Sequence, residues 1–421
     1  MIPDLRSNFN ANFTPHSYQD LLDAILLRNG VSTPFRIAET PIFLPLPLLQ
    51  SIAESGATLT RRLLDSPSYL AQAAQSIPAG FRVANQDSRP HFLTADFALV
   101  RDSSGNLSPR LVEMQAFPSL YGFQAALAES YAHTFQLNLP TFLSGLNRDT
   151  YFQLLRRTIL GTHSPENVVL TEVDPNHQKT LPDFLVTSRE LGIPVVDISH
   201  LVPVGRKLHY RNATGQLVPI HRIYNRAIAD EIIARGIQLP FDLEAPWDVE
   251  WAGHPNWYFL ISKFAIPHLW QPGQPASDVI PPAVFLTDFL AGPGAQRLAD
   301  AGVPLPAPGD PAAVYSNLLL KPLFSFAGKG IQFHPSHADL LAIPPADRGN
   351  YLLQQRMSFL PTIETPYGIT QAEIRILYLW PDGGELTPVI PLIRLGRGKM
   401  MGVDHNRDLL WVGASAAFWL P

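Results

Sequence analysis

Apolar positions recur with two different spacings along the chain. Between Tyr18 and Arg28 they fall at Leu21, Leu22, Ile25 and Leu26, and Leu48 to Ser66 behaves similarly just after Pro47, so the first ninety residues are predicted mainly helical. Faces of this kind ordinarily pack against a core. From Asn167 the pattern changes. Val168-Val169-Leu170-Thr171 is a short apolar run, a helical segment follows around Asp183–Leu191, and Gly192 leads into Val195-Val196-Asp197-Ile198. Strand, helix, glycine, strand is the signature of a βαβ unit with buried parallel strands. His221 to Arg226 adds another strand before a helix over Ala227–Ala234, completing a Rossmann-like lobe that lacks GxGxxG.

Alternation of period two marks Asp96-Phe97-Ala98-Leu99-Val100-Arg101 as a strand. Asp102-Ser103-Ser104-Gly105-Asn106 is turn chemistry, and Leu107 to Gln115 returns as a second strand. A hairpin folded about the Ser104–Gly105 bond sets Asp96 opposite Glu113, with Gln115 on the same face. Opposed side chains stand roughly 4.5–5.5 Å apart at Cβ. Two carboxylates that close repel unless a cation or a proton lies between them. An all-oxygen set of Asp96, Glu113 and Gln115 suits a hard ion such as Mg²⁺. The same acids would equally be satisfied by an arginine such as Arg101 or Arg110, or would stay apart if the register slipped by one residue.

Farther on, Asn317 to Leu323 is an apolar run containing Lys321. Phe324-Ser325-Phe326-Ala327-Gly328-Lys329-Gly330-Ile331 follows, then Gln332-Phe333. Glycines let backbone N–H groups close on phosphate oxygens, and lysines add point charges. A Gly-Lys-Gly hairpin tip would look the same. Tyr351 to Arg356 reads as a strand ending in Gln354 and Gln355, and Glu373 to Trp380 as a strand with Glu373 and Arg375 on one face before the turn Pro381-Asp382-Gly383-Gly384. Arg375 either clamps a phosphate bidentately or pairs with Glu373. Arg394 to Arg407 is dense in cations and glycines and reads as a mobile segment, while Trp411 to Trp419 reads as core.

Composition narrows the possibilities. With 31 lysines and arginines against 36 aspartates and glutamates the formal charge is −5, which argues against nucleic acid as a partner. There is no cysteine, so thiol nucleophiles, disulfides and Cys-ligated metals are excluded. No apolar run is long enough to span a bilayer and the first residues lack a signal-peptide layout, so a soluble, cytoplasmic protein is expected. The 41 prolines in 421 residues are spread through the chain as stiff connections. They are densest over Ile280–Pro311, which reads as a lobe junction.

Taken together these segments resemble the ATP-grasp superfamily in its circularly permuted form, as in the synthetase domain of glutathionylspermidine synthetase. The resemblance rests on Asp96-Phe97-Ala98, on Leu111-Val112-Glu113-Met114-Gln115 with Ser119-Leu120-Tyr121, on His254-Pro255-Asn256-Trp257 leading to Lys263, on Leu320-Lys321-Pro322, and on Gln354-Gln355. It implies an α/β fold of α+β lobes, with an antiparallel nucleotide-binding sheet and a Rossmann-like pre-ATP-grasp lobe. The implied organisation is a helical region over 1–90, an acidic hairpin and helix over 91–150, the Rossmann-like lobe over 151–240, a helical segment and junction over 241–310, and the lid with the remaining core over 311–421. It implies ATP and Mg²⁺ as cofactors and a ligase joining a small-molecule carboxylate to an amine through an acyl phosphate. Asp96, Glu113 and Gln115 would hold Mg²⁺. Lys263, Lys321, Ser325, Gly328, Lys329 and Gly330 would hold the phosphates, and Gln354 and Gln355 the adenine. Gln115 stands where the family has asparagine, and Thr94 where it has arginine, so Arg375, Arg394 or Arg397 would supply the catalytic charge. A phosphotransferase and a nucleotide-binding protein without turnover fit the same motifs.

Overall fold

The computed structural model describes residues 1–420 apart from 103, 308, 309, 311, 325–329, 399, 400, 402–405 and 407. Its alternating segments build a central sheet in the spatial order Ile42–Phe43, Gly413–Phe418, Thr387–Gly396, Gly368–Leu379, Phe92–Arg101 and Leu107–Gln115, with Ile363–Thr365 paired to the start of the longest strand. Every pairing is antiparallel except that of Ile42–Phe43 with Gly413–Phe418. Strands from the two ends of the chain therefore interleave.

Alternation gives this sheet two different faces. Leu93, Ala95, Phe97 and Leu99 point into a core shared with Ile52, Ala53 and Ala57 of the helix Leu46–Leu64. Gly56 allows that approach, because a Cβ there would lie 2.2 Å from Tyr378 Oη. On the other face Phe92, Leu377 and Leu379 meet Tyr121 and Phe123 of the helix Tyr121–Thr134. Tyr121 Oη donates to both Leu93 O and Tyr378 O at 2.9 Å, tying the helix to two strands.

A second sheet is wholly parallel, in the order Glu250–Ala252, Arg222–Asn225, Val168–Glu172, Val195–Asp197. The helix Leu181–Leu191 ends at Gly192 with φ 77°, a left-handed cap that turns the chain into the next strand. The next helix starts at Ala229, two residues later than expected, because its N-cap Ile228 is still extended.

The third sheet is antiparallel, in the order Ala283–Phe285, Tyr351–Gln355, Leu318–Pro322, Gln332–Phe333. The span Ile280–Pro311, expected as a bare junction, supplies one of these strands and the helices Leu286–Leu290 and Pro293–Asp300. Pro281 and Pro282 precede the strand, and Pro293 opens its helix, where a missing N–H costs nothing. A small sheet of Val202–Val204, Lys207–Arg211 and Leu217–Pro219 flanks the parallel one. No helix among the described residues is long and apolar enough to cross a membrane.

Candidate functional site

The early hairpin sets up the site. Asp102 Oδ1 accepts from the N–H groups of Ser104 and Asn106 at 2.9 Å, and Arg101 pairs with Leu107. The turn is thus centred on residue 104, half a residue before the bond predicted. Carried along the strands, that register would set Asp96 opposite Val112. A β-bulge at Val112 shifts it, so Asp96 faces Glu113 and Thr94 faces Gln115. The expected pair comes together, by way of a bulge the sequence does not announce.

The neighbouring strands add their own charges in register. Arg375 pairs directly with Asp96, and Glu373 with Arg394 one row away. Arg375 grips Asp96 with both ends of its fork, Nε to Oδ1 at 2.6 Å and Nη2 to Oδ2 at 2.7 Å. Arg394 Nη2 contacts Asp96 Oδ2 and Glu373 Oε1. Asp96 is 1% exposed, and both its oxygens already accept from guanidinium groups. It stands as the counter-ion of two arginines, which are neither Arg101 nor Arg110. Arg394 itself lies on the strand Thr387–Gly396 and not on the mobile segment expected from the sequence.

Two lysines close on the same point from other elements. Lys263 Nζ lies 3.4 Å from Glu113 Oε2, and Lys321 Nζ donates to the bulged Val112 carbonyl at 3.4 Å. Arg375 Nη2 is 3.6 Å from Glu113 Oε1, and Gln115 Nε2 donates to that oxygen at 3.3 Å. Among the described residues four cations thus face three carboxylates in a largely buried cluster. Burial pushes the Glu113 carboxyl up, but Lys263, Arg375, Arg394 and Lys321 outweigh it and hold it at about 2. Burial drives the Lys321 ammonium down to about 8, with Lys263 adding to the fall and Glu113 opposing it. Burial raises Glu373 to about 7 against the pull of Arg394.

The other expected residues are placed as follows. Gln354 pairs with Leu319 across the third sheet, and Leu352 with Lys321, so Gln354 shares the sheet face of Lys321. It is fully buried, and neither its Oε1 nor its Nε2 has a hydrogen-bond partner among the described residues. Gln355 points to the opposite face, and its N–H donates to Pro282 O at 2.8 Å. Arg397 stands apart from the cluster, donating through Nε to Thr370 Oγ1 at 3.2 Å and through Nη2 to Leu410 O. Gly330 has φ 77°, which a glycine adopts freely. Ser325, Gly328 and Lys329 lie outside the described residues.

A small cavity opens beside the cluster, lined by Gln115, Tyr258, Ser262, Lys263, Leu323 and Phe324. Tyr258 was not foreseen. It follows the His254–Trp257 motif by one residue, and its own sequence context carries no signal. For a hard divalent cation, Gln115 borders this cavity and the ionised Glu113 adjoins it, so both fit as oxygen donors. Asp96 does not fit in this arrangement, since a metal would have to displace two guanidinium groups. Among the described residues no group of three or more His, Asp or Glu side chains is gathered as for a metal ion.

No family model matches the sequence, and no curated protein does. Among solved structures the chain is similar to a glutathione synthetase-like effector from Globodera pallida in its apo form. The TM-score is 0.54 over 96% of each chain, at 11% identity. At that identity the likeness is one of fold alone: a mixed α/β chain with several sheets.

Proposed function

We propose that this chain binds a nucleoside triphosphate at the Lys263–Lys321–Glu113 cluster, in a permuted ATP-grasp arrangement, and acts as an ATP-dependent ligase of a small carboxylate and an amine. The observation that carries the reading is the convergence of Lys263 and Lys321 on the acidic hairpin at a buried site. Buried lysines gathered at one point are a poor way to stabilise a fold and a good way to receive phosphate. Likeness in fold to a protein named glutathione synthetase-like adds weight. So does the buried amide of Gln354, unpartnered among the described residues, whose burial costs free energy until something pairs with it.

In this reading the two lysines neutralise phosphate oxygens and the Gln354 side meets the base. Glu113 and Gln115 hold Mg²⁺, which when bound would offset charge on the phosphates. Transfer of the γ-phosphoryl group to a carboxylate needs in-line positioning and cations more than covalent chemistry, so the lack of cysteine is no obstacle. Arg375 and Arg394 act at one remove. They are committed to Asp96 and Glu373, and steady the hairpin that carries Glu113.

That commitment favours a second reading, a protein that binds nucleotide without turnover, because the arginines expected to meet transition-state charge are engaged elsewhere. Calorimetric titration with ATP and Mg²⁺, followed by an ADP-release assay over a pool of acids and amines, separates the two. Release of ADP that Glu113→Gln reduces by about 10²-fold, with the circular dichroism of the variant unchanged, supports the ligase. Nucleotide binding without ADP release supports the second reading. Absence of nucleotide binding at millimolar ATP removes both.

A further inference from the structure

Positive charge is gathered on one face of the small antiparallel sheet that flanks the parallel one. From Ile198 to Ala229 the chain carries no aspartate or glutamate, although its formal net charge is −5. Within that span Lys207–Arg211 is the middle strand, paired antiparallel with Val202–Val204 on one side and Leu217–Pro219 on the other. Alternation turns Leu208 and Tyr210 into a buried core, with Val218 packed against it. Lys207, His209 and Arg211 therefore line the opposite, outward face, at intervals of about 6.8 Å. We propose that this face docks the protein on an anionic lipid surface, peripherally and without spanning it.

Strand pairing sets apolar side chains beside the cations. Val204 pairs with Lys207 at one end of the face and Leu217 with Arg211 at the other, and these two are 52% and 42% exposed. Lys207 and Arg211 are exposed as well, and no carboxylate among the described residues pairs with either. Arg211 Nη1 donates to Gly215 O at 3.1 Å. Arg206, on the turn between the first two strands, is engaged by Asp248, its Nη2 lying 3.0 Å from Oδ1. Two cations without a counter-charge thus stand beside two exposed aliphatic side chains.

The size of the face selects the occupant. Three strands about 4.8 Å apart and up to about five residues long make a patch of roughly 14 by 17 Å, about 240 Å². A stable protein interface takes about 800 Å² from each partner, so this face is too small to hold one. Strand addition by a peptide is blunted too, since both outer strands carry a proline, Pro203 and Pro219. The outward row holds no Phe, Tyr or Trp on which single-stranded nucleic acid could stack. A lipid surface sets no such minimum area. Each lysine or arginine near an anionic leaflet strengthens binding about fivefold on its own, and aliphatic groups enter the headgroup layer beside it. Lys207 and Arg211 together give a preference of about 30-fold over neutral lipid. Repulsion from the net charge of −5 is screened beyond about 8 Å at physiological salt.

The test is co-sedimentation of the full chain with vesicles of phosphatidylcholine alone and of phosphatidylcholine with about one-third phosphatidylserine. Binding to the anionic vesicles is expected to be about 30-fold stronger, and to fall at least about tenfold as sodium chloride rises from about 0.1 to about 0.5 M. Lys207→Gln with Arg211→Gln should remove the preference. Val204→Ser with Leu217→Ser should weaken binding about fivefold while keeping its salt dependence. All four positions are exposed, so circular dichroism and the melting temperature should not change. Equal binding to both vesicles, no binding at millimolar lipid, or charge variants that bind as the parent does would each overturn the proposal. So would capture of poly-glutamate or duplex DNA without capture of vesicles at matched salt, which would assign the face to an acidic macromolecule instead.

Discussion

Asp96 decides how the polar side of the hairpin is held. A carboxylate taken fully out of water is costly, and here three guanidinium N–H groups compensate it. Such a pair adds little against an apolar replacement of both partners, yet breaking it from one side leaves buried charge unmatched. Asp96→Asn should therefore cost about 3–5 kcal/mol in urea unfolding of the ligand-free protein, since the amide turns an N–H towards a guanidinium. An open metal carboxylate would behave in the opposite way. Facing Glu113 without its ion, it would gain stability on neutralisation, so an unchanged or higher urea midpoint would sink the ion-pair assignment.

Lys321 couples two sheets, since its strand belongs to the third sheet while its ammonium caps the bulge of the first. Its pKa of about 8 gives nucleotide binding a pH dependence of defined sign. Below that value the lysine is charged and meets phosphate, and bound phosphate raises its pKa further. As pH climbs through 8, the free protein loses a proton that the complex keeps, and affinity falls. Between pH 8 and 9.5 the Kd for ATP should rise about tenfold, and a flat profile over that window would count against Lys321 as a phosphate ligand. At this scale the sequence was informative wherever alternation was clean. Both hairpin strands and the parallel strand at Val168 were legible from period and turn chemistry, whereas Asp96 meets Glu113 only because a bulge offsets the half-residue error in the turn. Ala283–Phe285 was not, because three apolar residues after a pair of prolines carry no period. Arg394 looked like part of a cationic loop because the glycines after it hid the end of a strand. The bulge at Val112 was invisible, since no glycine marks it.

Sites assembled from remote segments depend on how the sheets are fixed to one another, and a buried arginine adds an ion-paired link to the apolar core that the parallel and central sheets share. Arg222 starts a strand of the parallel sheet, and its side chain is 4% exposed. Its Nη1 lies 2.6 Å from Glu250 within its own lobe, and its Nη2 lies 2.9 Å from Asp382 on the turn of the central sheet. His91, just before the acidic hairpin, is 2.9 Å from the same aspartate, and its hydrogen bond, with Arg222, holds Asp382 below the ordinary carboxylate range. Gly161 leaves room for this, since a Cβ there would come within 2.9 Å of Arg222 Nη1. Nothing in the sequence linked residues 91, 222 and 382, because ion pairs between lobes have no linear spacing. Asp382 and Glu250 are more than half exposed and would regain water if the arginine were lost. Arg222→Met should thus cost about 1–3 kcal/mol, less than Asp96→Asn, whose partners stay buried. The loss should also be local. Amide exchange should quicken over Val168–Glu172 and Arg222–Asn225 while Gly368–Leu379 keeps its protection, because the central sheet also packs on a core with the helix Leu46–Leu64 that the parallel strands do not enter. Equal quickening in both sheets, or a cost matching that of Asp96→Asn, would mean that Arg222 supports the whole fold and not the docking of one lobe.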